Sequence, residues 1–221
     1  MVYYKDNISW LCEQRNLTLT EFEDQIAIPK VRIMDPTPVE LVKVADFFGY
    51  DLDSLVRKDL KLKKRIDALG IKLVILDVDG TMTDGGMYYT ENGDQIKKFN
   101  AKDGLAIRRK AKEGIIFGII SHAFKSEAIH TRANLLNIQK VHVGQENKSD
   151  ILNTWCAELN IKPEQVAYVG DDINDIDIME QVGLAVCPAD AVKHIKRIAH
   201  IILQRDGGQA CVREFIDEWL S

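Results

Sequence analysis

The sequence predicts an α/β protein built on a doubly wound parallel sheet, with a small all-α domain in front of it. Three observations carry that expectation. Residues 71–221 alternate short apolar runs with helical stretches, the pattern of a parallel sheet covered by helices on both faces, a Rossmann-like arrangement. Residues 1–60 carry helical patterns throughout. An Asn92-Gly93 pair between two short β-prone runs breaks the alternation early and predicts a β-hairpin flap.

Composition narrows the classes. The 221-residue chain is 46% hydrophobic and 29% charged, which supplies a real core and fits an ordinary globular protein. A formal net charge of −5 gives no overall attraction to nucleic acid or to anionic membranes. Cys12, Cys156, Cys187 and Cys211 are scattered, without a CxxC pair, which argues against a zinc knuckle or a disulfide framework and fits a reducing cytoplasm. The start "MVYYKDNISW" lacks the pattern of a signal peptide, and no apolar run approaches the roughly 20 residues of a membrane span. A soluble cytoplasmic protein with no membrane partner is the expectation.

In the first 60 residues, "NISWLCEQRN" places Ile8, Leu11 and Cys12 at helical spacing. "TLTEFEDQI" offers Thr18 or Thr20 as an N-cap, with Glu21 and Glu23 in the first turn. After the turn "DPTP", "VELVKVADFFGY" sets Val39, Leu41, Val42, Val44, Ala45 and Phe48 on a broad apolar face, with Gly49 as C-cap. "DLDSLVRKDL" reads as one more capped helix, and the basic "KLKKRIDALG", residues 61–70, as the linker to residues 71–221.

From residue 71, strand-length apolar runs recur at 73–76, 115–120, 166–169, 183–186 and 199–203. Helical stretches fall around 103–113, 124–136, 147–160, 173–181, 189–197 and 209–220. The hairpin "GGMYYTENGDQIKKF", residues 85–99, leaves the sheet directly after two aspartates and is expected to overhang them.

Ligands in open α/β sheets gather at the carboxyl ends of the strands, and four polar motifs fall at such ends here. They are Asp77-Val78-Asp79-Gly80-Thr81, Ser121 closing "GIIFGIIS", Lys148 in "GQENKSD", and Asp171, Asp172 and Asp175 in "VGDDIND". Carboxylates converging from two strands without a compensating arginine repel one another, and a hard cation with oxygen ligands, Mg2+ above all, resolves that. With the cation in place a phosphate dianion can approach, and Lys148 and Ser121 supply charge and a hydrogen-bond donor. One aspartate can then attack phosphorus, and the second, two residues on, can protonate the leaving oxygen and later activate water. Each motif alone has a plain structural reading as a turn, cap or solvated charge. Their joint occurrence in this order is what points to chemistry.

These four motifs match, in order and spacing, those of the haloacid dehalogenase-like superfamily of phosphatases. "FNAKDGLAI", "VAYVGDDIND", "AVCPADA" and "GGQACVREF" resemble its branch of capless sugar-acid phosphatases, typified by 3-deoxy-manno-octulosonate 8-phosphate phosphatase. The resemblance covers residues 71–220. It implies a Mg2+-dependent phosphomonoesterase acting on a phosphorylated eight- or nine-carbon keto sugar acid, with Asp77 as nucleophile and Asp79 as acid and base. It further implies Mg2+ held by Asp77, the Asp79 carbonyl and Asp171; Ser121 and Lys148 on the phosphoryl group; and Asp172 and Asp175 orienting water and Lys148. A homotetramer in which the hairpin and a neighbouring subunit close the site is implied as well.

The chain departs from that branch after Ser121, where Gly-Arg is usual and His122-Ala123 stands instead. His122 is either a replacement contact for sugar or carboxylate or a loop histidine without a role. Lys125 either restores positive charge or is a solvated helix residue, and Arg213 either binds substrate or pairs with an acid. Residues 1–60 resemble a lambda-repressor-like helix-turn-helix domain, most of all in "LVKVADFFGYDLDSLV". Yet the space for a recognition helix, "PKVRIMDPTP", is short and rich in proline. Seven Lys and Arg against eleven Asp and Glu give this part a net charge of −4, where a DNA reader should be basic. A degenerate module used for packing or oligomer contacts, without a nucleic-acid partner, is the expectation. The alternative function is a transcription regulator that uses the phosphatase fold as a sugar-phosphate sensor.

Overall fold

A computed structural model describes residues 3–220 of the chain, which divides between Ala68 and Leu69 into two compact units. The first unit is helical: α1 (Tyr4–Gln14), α2 (Leu19–Ile26), α3 (Lys30–Met34), α4 (Pro38–Phe48), α5 (Leu52–Arg57) and α6 (Leu60–Leu69). Local sequence sets its boundaries. Thr18 and Glu21 form a capping box at the start of α2, and Thr37 and Glu40 form another at α4, where Pro38 occupies the first turn. Gly49 ends α4 at φ 77°, a conformation open to glycine at little cost. Tyr4, Ile8, Phe22, Ile33, Val44, Phe48 and Leu55 meet in the core. One detail differs from expectation. The stretch 61–70 read as a linker is α6 for nearly its whole length, with Ile66 buried, because its apolar residues recur at helical spacing among the lysines. Between Pro29 and Asp35 only the five-residue α3 forms.

The second unit holds a six-stranded parallel sheet in the order β5-β4-β1-β6-β7-β8. Its strands are β1 (Leu73–Leu76), β4 (Ile116–Ser121), β5 (Lys140–Val143), β6 (Val166–Val169), β7 (Leu184–Cys187) and β8 (Ile201–Ile202). β2 (Tyr88–Tyr89) and β3 (Gln95–Ile96) form the separate antiparallel hairpin. Between the strands run α7 (Ala101–Lys112), α8 (Glu127–Leu136), α9 (Lys148–Leu159), α10 (Ile176–Met179), α11 (Lys193–Ile198) and the closing α12 (Cys211–Trp219).

The four residues of β1 are all fully buried, as a strand covered on both faces must be. Leu73 and Ile75 pack with Leu152, Trp155, Ile178 and Ile195, from the face of α9, α10 and α11, while α7 and α12 pack together elsewhere in the unit. Edge strand β5 carried no apolar run in the sequence. Its "KVHV" is only half-buried, so the continuous signal of a central strand is missing. The chain leaves β1 toward β4 and β5 and later returns to β6 on β1's other side. That reversal opens a crevice at the carboxyl ends of β1, β4 and β6.

Candidate active site

β1 delivers Asp77 into this crevice. Its backbone N–H donates to the Val169 carbonyl at 2.9 Å, which fixes the residue between the ends of β1 and β6. The chain then makes a wide turn over Val78–Met82. Gly80 sits at its crest at φ 92°, and a Cβ there would stand 2.0 Å from Oδ2 of Asp171, so the close approach of the two motifs requires glycine.

Lys148, the first residue of α9, is buried with its ammonium between three partners. It donates to Oδ1 of Asp77 at 2.6 Å, to Oδ1 of Asp175 at 2.6 Å and to the Tyr168 hydroxyl at 3.0 Å. The Tyr168 hydroxyl itself donates to Oδ1 of Asp175 at 2.6 Å. Asp175, fully buried, uses its other oxygen to accept from the backbone N–H groups of Asp171 at 2.9 Å and Asp172 at 3.2 Å. Both its oxygens are thereby committed. Thr81 donates to Oδ1 of Asp171 at 3.1 Å, which leaves Oδ2 facing Gly80.

Three carboxylates against one ammonium leave an excess of negative charge. Burial pushes the Asp77 carboxyl above its ordinary value, and Asp175 and Asp79 push the same way against the pull of Lys148. Burial, with Asp77 and Asp175, lifts Asp171 to about 8. Desolvation opposes the charge on Lys148, yet Asp77 and Asp175 more than offset it and hold its value up. Asp77, Asp171 and Asp175 each offer an oxygen within 4.8 Å of the others, a donor set fit for a hard divalent cation. Asp77 and Asp171 suit that role better than Asp175, whose oxygens already serve Lys148, Tyr168 and the backbone.

A cavity of about 370 Å³ opens from Asp77, and Asp79, Ser121, His122, Asp172 and Asn174 line it as well. Ser121 ends β4, buried, and its Oγ accepts from the Ala123 N–H at 3.2 Å. Lys97, on the hairpin's return arm, pairs with Asp79 and is 3% exposed. Asp172 is placed differently from Asp175: its carboxylate caps the Ile173 N–H at 2.7 Å and does not reach Lys148. His122 bonds the Glu146 carbonyl through Nε2 at 3.0 Å and meets Nδ2 of Asn174 through Nδ1 at 3.4 Å. Arg213 lies outside the lining. Its backbone N–H donates to Asp103 at 2.7 Å and its side chain pairs with Asp217, the acid pairing that was one of its two readings.

Thus the sequence-derived residues Asp77, Asp79, Ser121, Lys148, Asp171 and Asp175 do share one crevice, and Arg213 does not. Sequence reasoning missed Lys97, Tyr168 and the bond from Thr81. A tyrosine inside the buried strand "VAYV" was a usable signal, because a buried hydroxyl needs a partner. Lys97 had none, because its burial depends on where the hairpin lies.

A family model described as haloacid dehalogenase-like hydrolase matches residues 88–211. Over 150 residues the chain is 40% identical to the 3-deoxy-D-manno-octulosonate 8-phosphate phosphatase KdsC of Yersinia pestis, covering 68% of this chain and 80% of that protein. The crystal structure of the Yersinia pestis phosphatase superposes with a TM-score of 0.68 at 38% identity, over 72% of this chain and 84% of that one. The Moraxella catarrhalis phosphatase, solved with a magnesium ion, a phosphate ion and a KDO molecule, gives a TM-score of 0.69 at 28% identity, over 73% and 91% of the two chains.

Proposed function

Because the chain belongs to the haloacid dehalogenase-like hydrolases, we propose that it is a Mg2+-dependent phosphatase of phosphorylated keto sugar acids, working through a phosphoryl-aspartate at Asp77. The substrate class is 3-deoxy-manno-octulosonate 8-phosphate or a nonulosonate 9-phosphate. The observation that carries the reading is the placement of Asp77 at the carboxyl end of β1, bound to Lys148 and beside Asp171.

Asp77 and Asp171, with the backbone carbonyl of Asp79, would hold the Mg2+, which when bound offsets the charge of the carboxylates and of the phosphoryl oxygens. Lys148 and Ser121 bind phosphoryl oxygens, and Asp175 positions Lys148. A carboxylate oxygen of Asp77 attacks phosphorus in line while protonated Asp79 gives its proton to the departing sugar oxygen. Asp79 then takes a proton from water, the water oxygen attacks phosphorus, and phosphate leaves with Asp77 restored. Lys97 pairs with Asp79 in the substrate-free site, and this pair parts for Asp79 to reach the departing oxygen. Asp172 shapes the turn that presents Asp171.

Several further readings accompany this one. The exposed apolar side chains of the hairpin, among them Tyr88, Tyr89 and Ile96, support a homo-oligomer, a tetramer by resemblance, that covers them. The amino-terminal unit is read as a degenerate helix-turn-helix module for packing or assembly and not for DNA, supported by its five-residue α3 and its net charge of −4. Four free, buried cysteines suit a reducing cytoplasm, and no helix among the described residues is long and apolar enough to cross a membrane. The regulator alternative gains nothing from the relatives, which are named as phosphatases.

Phosphate release across a panel of sugar phosphates, with Mg2+ and with chelator, tests the proposal. Metal-dependent turnover concentrated on a keto sugar acid phosphate is expected. Turnover that ignores the chelator, or none on any member, overturns it.

A further inference from the structure

The cavity that starts at Asp77 carries a cation that the phosphoryl chemistry leaves unused. Lys125 is the one lysine or arginine among its lining residues and stands exposed where Asp77 is buried; Asp172, also exposed, is the third lining carboxylate beside Asp77 and Asp79. Asp77 and Asp79 mark the buried end, and Lys125 marks the open end. The sequence allowed Lys125 to be a solvated helix residue, but α8 begins only at Glu127, and Lys125 sits in the loop before it. Its ammonium donates to the Gly93 carbonyl at the hairpin tip, at 2.6 Å, and among the described residues no carboxylate pairs with it.

We propose that Lys125 is the residue that selects the substrate's carboxylate, which rests on the sugar-acid reading above. A substrate with phosphate at one end and carboxylate at the other would set its phosphate at Asp77 and its carboxylate on the one lining ammonium. The carboxylate takes the ammonium from a neutral carbonyl, exchanging a neutral partner for one of opposite charge, which adds a Coulomb attraction to the hydrogen bond. His122 does not compete for this role. Nε2 faces the Glu146 carbonyl at 3.0 Å, and Nδ1 lies 3.4 Å from the side-chain amide of Asn174. Both ring nitrogens are thereby turned toward partners within the protein. The position of the arginine usual in similar chains is held by Ala123, which carries no charge, and the positive charge comes from Lys125, two positions further on.

The experiment compares two phosphates of similar length, 3-deoxy-manno-octulosonate 8-phosphate and a hexose 6-phosphate without a carboxylate. The readout is the ratio of their kcat/KM values in the wild type, Lys125→Ala and Lys125→Arg. Loss of a charged partner should lower the ratio in Lys125→Ala by about 10- to 100-fold, chiefly through KM of the acid. Lys125→Arg should recover most of it. A ratio unchanged in Lys125→Ala, whether both substrates fall together or neither does, overturns the assignment and leaves Lys125 as a strut for the hairpin. A wild-type protein that does not favour the acid overturns the substrate reading itself, an outcome visible before any variant is made.

Discussion

Replacing Asp175 by Asn changes one atom type at the most densely bonded side chain of the site. Asp175 accepts four bonds: from Lys148 and Tyr168 on one oxygen, and from the Asp171 and Asp172 N–H groups on the other. Asn keeps one acceptor oxygen. Turned toward Lys148, it faces its own NH2 to two backbone donors; turned the other way, it faces that NH2 to an ammonium and a hydroxyl. Either orientation strands two donors in a fully buried place, at about 1–3 kcal/mol each. Part of that is offset, because Asp175 is among the charges that raise Asp77 and Asp171. The low end, about 2 kcal/mol, is therefore the expected loss of stability. A second effect is sharper. The bonds from the Asp171 and Asp172 amides hold the loop that carries Asp171, and removing a residue that orients a metal ligand weakens metal affinity by about 10- to 100-fold. Urea unfolding in metal-free buffer reads the first effect, and the Mg2+ concentration for half-maximal phosphate release reads the second. Asp172→Asn is the control for the fold of this turn, since that exposed side chain caps the Ile173 N–H and Asn caps as well as Asp. Unchanged stability and an unchanged Mg2+ response in Asp175→Asn would refute the reasoning.

Gly80→Ala should keep the fold by circular dichroism yet raise the Mg2+ requirement at least about tenfold, since the new methyl displaces Asp171 from the place proposed for it as a metal ligand; a wild-type Mg2+ response would contradict this. The positive φ at Gly80 adds about 1–2 kcal/mol of strain on top. Burial lifts the Asp103 carboxyl to about 6, against the opposing pull of the Arg213 N–H and the arginines around it. As pH rises from about 4 to 6, the unfolded chain gives up this proton before the folded one, so stability is full below that window and falls through it, by up to about 3 kcal/mol. Asp103→Asn, which can still accept from the Arg213 N–H, should remove that part of the decline and be more stable than wild type at pH 7, as read by urea midpoints from pH 4 to 7. A less stable Asp103→Asn at pH 7 would show that the charge itself is needed by the nearby arginines.

Much of this architecture was legible in residues that answer to one local rule. "LVIL" before Asp77 is a strand because it is apolar on both faces, and the acids after it lie at the sheet's carboxyl edge because parallel strands all point one way. Thr18-Glu21 and Thr37-Glu40 declare their helices through side chains three residues apart. What stayed hidden depends on distant parts of the chain. β5 is half-buried and lacks an apolar run, so only pairing with β4 makes it a strand. The basic stretch 61–70 looked like a linker because its lysines mask the period of Leu60, Leu62, Ile66 and Leu69. Lys97 lies 18 residues from Asp79, and nothing in "DQIKKF" says which lysine turns inward. His122 had two readings, a substrate contact or a loop histidine without a role, and only the fold shows Glu146 and Asn174 beside its two nitrogens.

The claim that Asp77 receives the phosphoryl group is most directly tested by trapping it there. In Asp79→Asn the side chain that activates water is gone while Asp77, Lys148 and Asp171 remain. Mixing this variant with Mg2+ and an aryl phosphate, whose leaving group departs without the proton that Asp79 would give a sugar oxygen, quenching in acid and mapping the peptides by mass spectrometry should find one phosphoryl group on the peptide that contains Asp77. The same treatment of Asp77→Asn should find none. A phosphoryl group on another residue, or phosphate released by Asp77→Asn at the wild-type rate, would contradict the mechanism.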